Sequence, residues 1–212
     1  MVEKTKPLLR GHFHQAAFFI ALGAGSVLIA TAHEKAARMV SLVYALSLAG
    51  MFACSSLYHR INWSAQARMW WRRLDHSAIF LLIAGTGTPV CLLGIKGESG
   101  NHLLWIFWSL AIAGIFKELF WVTAPKWVSA IFYVIMGWAG VFYFTEMSTA
   151  LGPTNMALML AGGIVYTIGA VIYALKRPDP FPKIFGYHEI FHLLVVVASL
   201  LHFIVVYQLV TA

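Results

Sequence analysis

The sequence predicts an all-α, polytopic membrane protein with seven transmembrane helices, its N-terminus cytoplasmic and its C-terminus extracytoplasmic. Three observations carry this: an extreme apolar composition, apolar runs that recur at the length of a membrane span, and basic residues gathered in alternate gaps between the runs. Of 212 residues, 60% are hydrophobic and 11% charged, whereas a soluble domain carries about 25% charged residues. A soluble fold of this size has too little interior to hide that much apolar surface. At roughly 20 residues per span, seven helices and short loops use nearly all of residues 1–212 as a single domain, with no room for a separate soluble catalytic module.

The first run, His12 to Ala32, follows Lys4, Lys6 and Arg10. Ala30-Thr31-Ala32 resembles a signal-peptidase site, but the run exceeds the roughly 7–15-residue apolar core of a signal peptide and is read as a retained helix. The second run is Met39 to His59. Trp63, Trp70 and Trp71 follow it beside four arginines, as an interfacial aromatic belt requires. His76 to Ile95 forms the third run, and His102 to Phe116, extending to Val122, the fourth. Trp127 to Thr145 and Thr154 to Leu175 form the fifth and sixth. Pro178, Pro180 and Pro182 then make a stiff, non-helical loop before the last run, Tyr187 to Val210.

Twelve of the fifteen Lys and Arg fall on one side of this arrangement: Lys4, Lys6, Arg10, Arg60, Arg68, Arg72, Arg73, Lys117, Lys126, Lys176, Arg177 and Lys183. Lys35, Arg38 and Lys96 fall on the other. The richer side is assigned to the cytoplasm, making this a multi-pass protein of the cell membrane. The net charge of +7 forms no aromatic-interleaved stripe of the kind that binds nucleic acid, so lipid headgroups are the expected counter-charge. Cys54 and Cys91 lie near opposite faces, so no disulfide is expected.

Ionisable side chains inside spans are costly and mark function. His188 and His192 are four residues apart and share a face of the last helix, as do Ser55 and His59 on the second. With Asp75 entering from the third helix, all three helix ends meet at the cytoplasmic side. Three imidazoles with an open fourth position describe a catalytic zinc site rather than a closed structural one. For His12, His14, His33, His76 and His102, at helix ends or in loops, the expected role is a hydrogen bond to a backbone carbonyl. His202 lies ten residues beyond His192, about 15 Å deeper at 1.5 Å per residue, and is expected to be a packing histidine. His188-Glu189-Ile190-Phe191-His192 also spells H-E-x-x-H, in which two His bind zinc and Glu is the general base of a protease. That motif needs a third ligand further along, and no Asp, Glu or Cys follows His192, so Glu189 is read as a headgroup-level residue.

Ser55 to His59, Leu74 to Thr86, His188 to His192 and Leu201-His202-Phe203, with Pro7 to Gly11 before the first helix, resemble the hemolysin III family. That family belongs with the progestin and adipoQ receptors and, more distantly, the alkaline ceramidases. The resemblance implies a seven-helix fold, zinc held by His59, His188 and His192, and Asp75 and Ser55 beside its open position. Thr86-Gly87-Thr88-Pro89-Val90 departs from it, with Gly where an aromatic is common, which is expected to widen the inner cavity. The function expected is hydrolysis of a lipid amide or ester, with membrane lipids or a fatty-acyl substrate as partners, Asp75 as proton acceptor and Ser55 as an oxyanion-side donor. Two other readings stay open: a receptor-like membrane regulator with structural zinc, and the pore-forming, cell-lysing activity that gave the family its name, for which the sequence shows no ion path.

Overall fold

Helices make up nearly all of residues 6–212, the part of the chain that the computed structural model describes; Lys4 lies outside it. In chain order they are α1 (His12–Thr31), α2 (Lys35–Arg60), α3 (Ala65–Pro89), α4 (Gly97–Phe120), α5 (Lys126–Gly137), α6 (Phe144–Leu175) and α7 (Tyr187–Thr211). A π-helical turn, Val90–Ile95, continues α3, and a 3-10 turn, Ala139–Tyr143, joins α5 to α6. Counted as continuous runs, six are long and apolar enough to cross a membrane, one of them the 50-residue stretch Lys126–Leu175.

Straight, that stretch would extend about 75 Å, far beyond a hydrocarbon core of about 30 Å. It turns back at Gly152, whose φ of 71° and ψ of 171° suit only a residue without Cβ. Pro153 follows and supplies no N–H to a helix. The indole N–H of Trp138 then reaches across to Thr167 Oγ1 at 2.9 Å, which puts the two arms side by side.

Helix α3 starts at Ala65, eleven residues before the predicted His76. The Ser64 side chain caps it by accepting from the Ala67 N–H at 3.3 Å. The added turns carry Arg68, Arg72 and Arg73 with Trp70 and Trp71. Trp63 stacks on Trp71 at 4.9 Å, Arg73 lies over the Trp70 ring, and Arg73 Nε donates to the Leu119 carbonyl at 2.9 Å. These polar turns are helical because they pack on their neighbours. Apolar-run counting cannot see that.

One end of the bundle gathers the chain's basic connections. Leu8 and Leu9 donate backbone hydrogen bonds to Lys183 and Ile184 at 3.0 and 3.1 Å, Arg10 pairs with Glu189, and Lys126 Nζ donates to Tyr187 Oη at 3.0 Å. The N-terminal segment is thus strapped across the proline loop. Deeper in, small residues let helices approach: Gly25 faces Ala45, and Gly85 meets Ser47 so closely that any Cβ would collide. Cys54 and Cys91 are free thiols.

Candidate metal centre

The last turns of α2 bring Ser55 and His59 to the gathered end, the first turns of α7 bring His188 and His192, and α3 brings Asp75. All five are buried. Helix α7 begins sharply because Glu189 reaches back to accept the Gly186 N–H at 2.9 Å while the Asp179 carboxylate accepts from the Tyr187 N–H at 3.0 Å. That fixes the register presenting His188 and His192 one turn apart on one face.

His188 Nε2 lies 3.3 Å from His59 Nε2, and one nitrogen from each of His59, His188 and His192 falls within 4.8 Å of the others. Two nitrogens bound at about 2.0–2.1 Å to one tetrahedral ion would be about 3.3 Å apart. His192 Nδ1 is buried with no hydrogen-bond partner, and a buried orphan acceptor costs about 1–3 kcal/mol unless something binds it. The three side chains can therefore hold a metal ion. Asp75 Oδ2 stands 3.7 Å from His59 Nε2 and 3.5 Å from His76 Nδ1.

Glu189 lies at the start of α7. It is 1% exposed and engaged by Arg10 and the Gly186 N–H. Its carboxylate serves the helix start and the N-terminal strap, with no free edge to act as a protease base. His202 is buried, and its Nε2 donates to the Met159 carbonyl at 3.1 Å, the packing role expected of it.

His14 is the residue that helix-end reasoning passed over. It does meet a backbone carbonyl, that of His192, from Nε2 at 3.2 Å, but its Nδ1 also lies 2.8 Å from Ser55 Oγ. Its ring stacks on His192 with centroids 3.9 Å apart and planes 7° from parallel. A usable signal was present, since His14, Ala17, Ala21, Gly25 and Leu28 form the buried stripe of α1 at helical spacing. His76 likewise joins the site through Asp75 and through Tyr173 Oη, 3.5 Å from its Nε2.

From this cluster a mostly apolar cavity of about 150 Å³ runs between the helices, with Ser55, Asp75, His188 and His192 at one end and His202 in its wall farther along. The distance from His192 to His202 along α7 is about 15 Å. Gly87 also lines it, and a Cβ there would strike the Phe107 ring. The glycine that departs from the expected pattern therefore makes room for Phe107 rather than simply enlarging the cavity.

Comparison with known proteins identifies the chain's family. Residues 2–203 match the family model described as haemolysin-III related. The chain is 36% identical to Hemolysin-3 of Bacillus cereus over 178 residues, covering 84% of this chain and 78% of that one. It is 24% identical to the human monocyte to macrophage differentiation factor over 81% of this chain and 70% of that protein. Against the adiponectin receptor protein of Drosophila melanogaster it is 25% identical, over 76% of this chain and 41% of the receptor. With matches across almost its whole length and six runs able to cross a membrane, this multi-pass membrane protein belongs to the haemolysin-III related family.

Proposed function

We propose that the protein is a zinc-dependent hydrolase of a lipid amide or ester, in a domain that crosses the membrane seven times. The observation that carries this is three buried imidazoles converging beside Asp75 at the head of a long apolar cavity. Imidazole donors suit zinc, whereas Mg²⁺ and Ca²⁺ call for oxygen-rich ligand sets. Zinc held there would supply a Lewis acid able to acidify water and polarise a carbonyl. Asp75 Oδ2, 3.7 Å from His59 Nε2, is placed to take the proton of the attacking water and return it to the departing amine or alcohol. The apolar lining of the cavity suits an acyl chain. The seventh crossing rests on the reversal at Gly152, which makes two arms of the 50-residue stretch.

The test pairs two measurements on purified protein in detergent: zinc per chain, and release of fatty acid from a panel of ceramides and phospholipids. Asp75→Asn is expected to keep zinc, which the histidines hold, and to slow release about 10²- to 10⁴-fold. Normal zinc with no release by wild type on any lipid would sink the enzyme reading and leave a structural clamp joining α2 and α7.

A further inference from the structure

We infer that the hydroxyl pair of Tyr166 and Ser199, backed by His202, is a second polar subsite of the cavity, one that takes an acyl chain bearing a hydroxyl or oxo group along its length. The inference rests on the acyl-chain reading above. Tyr166 and His202 line the cavity away from the metal centre. Tyr166 Oη lies 2.7 Å from Ser199 Oγ, and the rings of Tyr166 and His202 meet with centroids 5.5 Å apart. The His202 ring is held from the other side by the Met159 carbonyl at 3.1 Å and fits only because residue 162 is glycine, where any Cβ would collide with it. Polar side chains at this depth in a bilayer are costly and mark function.

Two hydroxyls bring two protons, and whichever oxygen donates, the one hydrogen bond between them uses only one. Thr86 and Thr88 return theirs to the Leu82 and Ala84 carbonyls of their own helix; among the described residues the Tyr166–Ser199 pair has no such outlet. It keeps one O–H to give beside a mostly apolar cavity, and a buried donor left unmade is unfavourable. An oxygen on the ligand would accept it. Ser199 lies seven residues beyond His192 on α7, about 10 Å deeper, and His202 about 15 Å deeper, at 1.5 Å per residue. One leaflet of hydrocarbon is also about 15 Å, half of a core of about 30 Å, so an acyl chain with its carbonyl at the metal centre runs past Ser199 and reaches His202. The pair therefore meets the chain well beyond its carbonyl. A plain chain offers it nothing, and a chain oxygenated near its middle offers the missing acceptor.

Calorimetric binding of free fatty acids to the full-length protein in detergent, with zinc supplied, gives a test decided by its sign. The probes are octadecanoic acid and its analogues with a hydroxyl near mid-chain, an oxo group at the same carbon, or a hydroxyl beside the carboxyl. In a cavity without a polar partner, burying a hydroxyl is unfavourable, and the mid-chain analogue would bind more weakly than the plain acid. The subsite predicts the reverse: the mid-chain hydroxyl and oxo acids should bind roughly 3- to 10-fold tighter, the worth of one net hydrogen bond, and the hydroxyl beside the carboxyl should gain nothing. This ordering is read on wild type and needs no variant. Tyr166→Phe combined with Ser199→Ala removes both hydroxyls with little change of shape and should restore the weaker binding, with zinc per chain unchanged. Weaker binding of the mid-chain analogues by wild type, or a preference that survives the double substitution, would overturn the inference. Hydrolysis of the lipid panel without any such preference would sink the subsite and leave the enzyme reading in place. The preference without hydrolysis would do the opposite, and no binding of any acid would reject both.

Discussion

His192 and His202 lie on the same helix and line the same cavity, yet their ring nitrogens have opposite fates. His192 Nδ1 has no partner, whereas His202 Nε2 donates to Met159. His192→Ala should therefore lose most of the bound zinc and His202→Ala should keep it, measured as metal per chain after gel filtration; equal loss would put the site at the wrong depth. Glu189 calls for a different pair of readings. Glu189→Gln leaves Arg10 without its partner, and breaking a buried ion pair costs roughly 3–5 kcal/mol, with the lower end expected because Arg10 is partly exposed. A clear fall in melting temperature with zinc and lipid hydrolysis retained is the outcome expected, while a normal melting temperature with hydrolysis abolished would restore the protease motif. The three-histidine constellation was legible because an i, i+4 spacing fixes a shared face whatever surrounds it. His14 was not, because its importance comes from contacts with residues 41 and 178 positions away.

At the scale of elements, the apolar runs located the helices and missed their polar extensions. Helix α2 begins at Lys35 rather than Met39, and α4 at Gly97 rather than His102, because helical hydrogen bonding continues past the point where side chains turn polar. The pattern from Trp127 to Thr145 predicts one helix, but that arm is interrupted by the 3-10 turn Ala139–Tyr143, where Gly140 packs against Met147. The Gly152-Pro153 reversal was legible as a gap between two runs, and its backbone gives it a measurable cost. Any side chain at Gly152 would occupy a region reserved for glycine, a strain of about 1–3 kcal/mol. A Cβ at this position would have no neighbour within 4 Å, so Gly152→Ala should destabilise through backbone strain alone. Thermal unfolding in detergent should show the drop, and Gly152→Ser should match it, since the Cβ they share meets no neighbour. A larger loss in the serine variant would point to crowding instead.

For the molecule as a whole, the proposed topology follows from which loops share an end. The segment before α1 bonds to the loop before α7, Arg60 at the end of α2 meets His12 at the start of α1, and Lys126 at the start of α5 meets Tyr187 at the start of α7. These contacts collect the connections carrying most of the Lys and Arg on one side, while Lys35, Arg38 and Lys96 fall in the connections between the opposite ends. Basic residues flanking spans are retained in the cytoplasm, so the gathered end, and the histidine cluster with it, should face inward. A reporter fused after Ala212 should read as extracytoplasmic, and one inserted beside Gly152 should agree with it. One placed in the proline loop between Lys176 and Tyr187 should read as cytoplasmic. The inserts at Gly152 and in the proline loop bracket the second arm of the 50-residue stretch, so opposite readings there establish that this arm crosses by itself. A cytoplasmic reading at both would mean that the stretch dips into the bilayer and returns, leaving five crossings. The C-terminal reporter would stay extracytoplasmic in that case, because a re-entrant pair returns the chain to the side it left, so the insert beside Gly152 is the one that separates seven crossings from five.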